Sequence, residues 1–125
     1  MSIVDHDRAI AIATRWLDAF NSHRADEVVA HFAETVTATS PVIARLRPDS
    51  GGHLAGKAAV LNYYEEGLRL VPDLHFSLVE VLTGIDQVTI VYRNQAGTLV
   101  AETLTLDGDG LVAAVSVTYG ATPSD

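Results

Sequence analysis

Apolar residues at positions 9, 12, 13, 16, 17 and 20 recur at three- and four-residue spacing, which predicts a helix from about Asp5 to Asn21-Ser22 with one buried stripe. Residues 25–33 predict a second, short helix that buries Val28, Val29 and Phe32, with Asp26 and Glu27 suited to its first turn. β-Branched residues over 35–40 predict a strand that stops at Pro41, because a proline forces the preceding residue into an extended conformation. Residues 41–56, with two prolines and three glycines around VIARLR, read as a loop or lid, with a short edge strand as the alternative. Helical spacing returns over 57–71 through Val60 or Leu61, Tyr64, Leu68 and Val71, until Pro72 ends it.

From residue 74 onward the period changes from helical to alternating. Strands are predicted over 74–82, 87–94, 98–106 and 111–119. Gln95-Ala96-Gly97 fits a three-residue hairpin loop with Gly97 left-handed, which sets Asn94 opposite Thr98, Tyr92 opposite Val100, Ile90 opposite Glu102 and Val88 opposite Leu104. Around the turn Asp107-Gly108-Asp109-Gly110, pairing Leu106 with Leu111 places Val100, Glu102, Leu104 and Leu106 on one face with Leu111, Ala113, Val115 and Val117. Glu102 is thus a carboxyl in an apolar row. The order of elements predicts an α+β fold, three helices laid on one curved, mostly antiparallel sheet. The tail 120–125 is predicted to fray.

The chain has 125 residues, 48% of them hydrophobic and 19% charged, which suits one globular domain. Sixteen acidic against eight basic residues give a net charge of −8 with no basic run, an argument against nucleic acid or an anionic membrane as partner. The absence of cysteine excludes disulfides and thiolate chemistry. MSIVDHDRAI lacks the pattern of a secretory leader and no apolar run reaches the length of a membrane span, so a cytoplasmic location is expected by default. Histidines 6, 23, 31, 53 and 75 show no ligand spacing, so no metal and no cofactor are expected. The outer sheet face, with Thr89, Val91, Ala101, Thr103, Thr105, Ala114, Ser116 and Thr118, lacks the charges of a solvated sheet, which predicts a homodimer through it.

The segments RWLDAFNSH, VVAHFAETV, GKAAVLNYY, VPDLHF and AETLTLDGDGLV, followed by Tyr119-Gly120, come in an order that resembles the SnoaL-like group of the nuclear transport factor 2-like superfamily. This superfamily includes ketosteroid isomerases and polyketide cyclases. The resemblance implies a cone-like barrel around an apolar cavity and runs nearly end to end. It also implies departures from the isomerase pattern. The isomerase's general-base aspartate falls at Ser40, whose hydroxyl cannot serve at neutral pH. Its oxyanion tyrosine falls at Trp16, which can donate but not exchange a proton, and its protonated acid falls at Glu102. That isomerase acid is a standard example of a carboxyl kept neutral by an apolar site.

A desolvated Glu102 should have a raised pKa, as a general acid or base near neutral pH requires; an internal carboxyl tied to a tyrosine for structure is the alternative. The expected ligand-binding wall comprises Trp16, Phe20 and Tyr64 from the helices, with Ile90, Tyr92, Val115, Val117 and Tyr119 from the sheet. Core packing is the commoner role for aromatic side chains in such positions. Arg93 is expected to point outward, which removes support for an aspartate–arginine epoxide-opening site. Two functions stay open. One is acid–base chemistry by Glu102 on a small hydrophobic carbonyl or enol compound; the other is a non-catalytic ligand-binding or assembly domain.

Overall fold

The computed structural model describes residues 2–121. The predicted fraying at 120–125 therefore lies largely outside the described residues. Helix α1 (His6–Asn21) starts where the Asp5 carboxylate accepts the Arg8 backbone N–H at 2.9 Å, and its stripe from Ala9 to Phe20 is buried. The second helix is shorter than its sequence pattern suggests: α2 (Ala25–Val28) tightens into a 3₁₀ turn over Val29–His31. Strand β1 then begins at Phe32 and runs to Thr39. Phe32 joins the core from a strand, not from a helix, because alternation serves burial there as well as helical spacing does.

The largest correction concerns residues 41–56, which form neither a loop nor a lid. Ser40 accepts the Val42 N–H at 3.1 Å and Pro41 occupies the first turn, together starting helix α3 (Pro41–Leu46). A 3₁₀ turn over Pro48–Ser50 and strand β2 (His53–Ala55) follow. The sequence pattern obscures α3 because six residues are too few for a periodicity, and prolines that break helices also begin them. Helix α4 (Lys57–Leu70) is close to expectation. The described residues thus hold four α-helices where three are expected.

Strands β3 (Ser77–Gly84), β4 (Gln87–Arg93), β5 (Leu99–Leu106) and β6 (Val112–Tyr119) complete a six-stranded sheet in the order β2-β1-β6-β5-β4-β3. All neighbours are antiparallel except β1 and β6. Helix α1 packs on β3 and β4, and α4 packs on β1 and β2. The β4–β5 register is the expected one, Tyr92 opposite Val100 and Ile90 opposite Glu102, and Gly97 has a φ of 81°. The β5–β6 register is not. Leu106 pairs with Val112, not Leu111, and an irregularity beside it leaves Leu104 opposite Val115 and Glu102 opposite Val117. Val112 is buried in place of Leu111 and Ala113, which are half-buried. Asp107 explains the start of this shift, because its carboxylate accepts the N–H groups of Asp109 and Leu111 and holds Leu111 in the turn.

Candidate functional site: a buried carboxyl in an apolar cavity

The three-residue loop between β4 and β5 is held by the Asn94 side chain, which accepts the N–H groups of Ala96 and Thr98. That loop fixes which residues of both strands face the helices. Tyr92 and Glu102 are then diagonal neighbours on the inner face, within reach of a tyrosine side chain. The Tyr92 hydroxyl donates to Glu102 Oε1 at 2.7 Å. Glu102 Oε2 has no partner among the described residues, although the residue is only 6% exposed. Burial raises the Glu102 pKa from 4.5 to about 7, and the Tyr92 hydrogen bond, which favours the ionised form, limits the rise. Burial beside this carboxyl also pushes the Tyr92 hydroxyl well above its ordinary range, so it acts as a donor and not as a base.

In front of this pair lies a cavity of about 530 Å³, a size suited to a small organic ligand. Phe20, Tyr64, Tyr92, Glu102, Val115, Val117 and Tyr119 all line it, as expected from sequence. Trp16 and Ile90 do not. Ile90 is fully buried behind the wall, and Trp16 is buried among Phe20, Phe76 and Tyr92 at ring distances of 4.7, 5.8 and 5.6 Å. The Trp16 Nε1 finds no partner among the described residues, and the indole supports the wall from behind without presenting its N–H to the cavity.

Several wall residues were not foreseen. Phe76 stacks on Tyr92 at 4.2 Å, and Asn21 fixes it by donating to the Phe76 carbonyl at 2.9 Å and accepting its N–H at 2.8 Å. Ser40, the residue that caps α3, is 4% exposed and also forms part of the wall. Its hydroxyl acts on those of Tyr63 and Tyr119, favouring their ionised forms, but burial outweighs it and raises both. Arg45, Asn94, Gln95 and Thr98 add further polar groups to the lining. Tyr63 sits beside Tyr64 at the edge of a helical stripe, and Arg45 belongs to a helix that the sequence pattern hides; the Asn21–Phe76 bridge joins segments 55 positions apart. Arg93 is exposed and donates to the Gly97 carbonyl, as its outward register requires. His53 lies on β2, exposed, sharing a 3.0 Å hydrogen bond with Thr39. Among the described residues no group of three metal-ligating side chains comes together, and no helix is long and apolar enough to cross a membrane.

An α+β fold with a largely apolar cavity and a buried carboxyl in its wall is the class these observations define. Residues 13–124 match the SnoaL-like domain family, and the chain belongs to that family. It is 33% identical to a SnoaL-like protein of unknown function from Burkholderia thailandensis, covering 95% of this chain and 99% of that one with a TM-score of 0.90. More distant structures share the fold. A candidate ketosteroid isomerase from Kribbella flavida is 20% identical over 95% of this chain and 82% of its own, with a TM-score of 0.72. A candidate polyketide cyclase from Sinorhizobium meliloti is 14% identical over 86% and 94%, with a TM-score of 0.71. None of the curated proteins matches the sequence.

Proposed function

We propose that the protein is an isomerase- or cyclase-like enzyme that performs acid–base chemistry on a small hydrophobic carbonyl or enol compound, with Glu102 as the catalytic group. The observation that carries this reading is the unpartnered Oε2 of a buried carboxyl in the wall of a ligand-sized cavity. A structural carboxyl would have both oxygens satisfied, since an unmet buried acceptor costs about 1–3 kcal/mol. A pKa of about 7 leaves both protonation states populated near neutrality, the condition for taking a proton from the carbon beside a carbonyl and returning it elsewhere. Tyr92 holds Oε1, so Oε2 is the atom that exchanges the proton. Phe20, Tyr64, Val115 and Val117 supply apolar contact for the ligand, and the helices and sheet close around it in a cone-like barrel.

The second reading, a non-catalytic binding domain, is favoured by Ser40. Where the isomerase resemblance implies a general base, this chain has a hydroxyl that caps a helix. Solvent deuterium exchange distinguishes the two. Carbonyl compounds that bind in the cavity should exchange their adjacent C–H protons faster with wild-type protein, and Glu102→Gln should abolish the acceleration while retaining binding. Binding without any acceleration in the wild type would leave the domain a binder. The neutral outer face, where Thr89 and Thr103 hydrogen-bond to each other at 2.9 Å, supports a homodimer, and lysines at Thr103 and Ser116 should convert it to a monomer in sedimentation runs.

A further inference from the structure

The cavity wall carries one carboxyl and one guanidinium, and the proposed chemistry uses the carboxyl. Glu102 is the acid, on β5; Arg45, on α3, is the base. Two nearby arginines differ sharply. Arg47 is committed to Glu66 by a 2.6 Å ion pair, whereas Arg45 makes no hydrogen bond or ion pair with any described residue. A guanidinium that lines the cavity and is not committed to a described carboxylate keeps its donors available to an anionic ligand. The hydroxyl-bearing residues Ser40, Tyr63 and Tyr119 line the same cavity. Tyr63 and Tyr119 feel the field of both Arg45 and Glu102, while Glu102 itself feels no resolved effect from Arg45. The cavity wall thus carries a guanidinium, a carboxyl and several hydroxyls within a largely apolar lining.

We propose that Arg45, assisted by the hydroxyls of Ser40, Tyr63 and Tyr119, forms a carboxylate-binding end of the cavity, so that the ligand is a small hydrophobic acid whose reactive carbon lies toward Glu102. This rests on the reading of the cavity as a ligand site and narrows its substrate class. A guanidinium offers two parallel N–H donors to a carboxylate, and the hydroxyls can donate to an oxygen turned inward. Arg45 also suits the last turn of α3 as a cation at a helix C-terminus, but a six-residue helix gains little from that and does not require the side chain to face the cavity.

The test uses a matched pair of probes, 2-naphthoate and the neutral methyl 2-naphthyl ketone, titrated calorimetrically into the intact protein. Wild type should bind the carboxylate about tenfold more tightly than the ketone, the scale of one charge-assisted hydrogen-bonded contact. Arg45→Gln should abolish that preference and leave ketone affinity unchanged, and Arg45→Lys should retain part of it. Because Arg45 is exposed, both variants should fold as wild type does, which circular dichroism verifies. Equal binding of the two probes by wild type, or an unchanged preference in Arg45→Gln, would overturn the carboxylate end while leaving the cavity as a ligand site. Saturable binding of neither probe would overturn both readings.

Discussion

The inner face of β5 is divided in two, and its halves contrast within a single strand. Leu104 and Leu106 occupy one half, facing Val88, Val112 and Val115 across the neighbouring strands, and α1 with the turn after α2 fills the space above them. Beside Ile12, Trp16, Val28, Phe32, Leu104 and Val112, only about 10 Å³ remains. Val100 and Glu102 occupy the other half, where about 530 Å³ stays open. Alternation is identical in both halves, so strand pattern does not decide which becomes core and which becomes cavity. The helices decide it. Large apolar side chains meet over Leu104, whereas around Glu102 the aromatic rings of Phe20, Phe76 and Tyr92 pack against one another and form a wall. Among the described residues, the only buried carboxyl lies in the open half, where space remains for a partner.

The largest test of this division is a pair of truncations. Leu104→Ala removes a fully buried side chain from the packed half and should cost about 3 kcal/mol in urea denaturation, within the usual range for such cavities. Val117→Ala acts on a half-buried residue that already borders empty space, and should cost under about 1 kcal/mol. Similar losses at both positions would mean that the open half is packed after all.

Glu102 sharpens the same contrast through pH. Its folded pKa is raised, so the folded state holds this proton more tightly than the unfolded chain does. The resulting stabilisation is complete below the unfolded value of 4.5 and is lost as pH rises to and through about 7. Two and a half pKa units correspond to a swing on the order of 3 kcal/mol. Denaturation profiles of wild type and Glu102→Gln, subtracted from each other between pH 4 and 8, should show that decline. A flat difference would mean that the carboxyl is solvated or paired, against the open-half assignment.

A tether links the two halves. Asn21 at the end of α1 holds both backbone groups of Phe76, and Phe76 stacks on Tyr92. Asn21→Ala should leave a backbone donor and acceptor unmet and cost about 2 kcal/mol. It should also loosen the wall, seen as faster hydrogen exchange at Phe76 than at the β5 residues of the packed half.

The inner face, though not its division, was legible in the residues. Glu102 between Val100 and Leu104 marks a buried carboxyl from alternation alone, and the Gln95-Ala96-Gly97 loop sets its neighbour across the sheet correctly. Tyr92, Tyr119 and Val117 face the same way for the same reason. What alternation could not supply was depth. It places Ile90 on the inner face but not behind the wall, and it gives Trp16 a buried stripe without saying which rings will surround it. The β5–β6 register moved because one aspartate in the turn captured backbone groups that simple pairing would have used. Helix α3, with Arg45 and its capping Ser40, escaped because a six-residue helix carries too little periodicity to compete with the prolines and glycines in and after it. Arg45 on the cavity wall is therefore hidden from the strand alternation that exposes Glu102.

The smallest expected effect concerns the hydroxyl that joins Tyr92 to Glu102. Tyr92→Phe keeps the ring stacked on Phe76 and tilted against Trp16, so packing in the wall should survive. It removes the donor to Oε1, leaving both oxygens of Glu102 without a partner. At pH below the Glu102 pKa the carboxyl is neutral and the loss should be about 1 kcal/mol, the net value of one hydrogen bond. At higher pH the loss should grow, since the Tyr92 hydrogen bond favours the ionised form and its removal lets desolvation act unopposed. The folded pKa of Glu102 should then rise above about 7, moving the upper edge of the stability decline to higher pH. Carbon-detected NMR titration of the Glu102 carboxyl in wild type and Tyr92→Phe measures the displacement directly. A pKa that falls on removing the hydroxyl would show that Tyr92 stabilises the neutral acid, and the roles of the two residues in the open half would have to be exchanged.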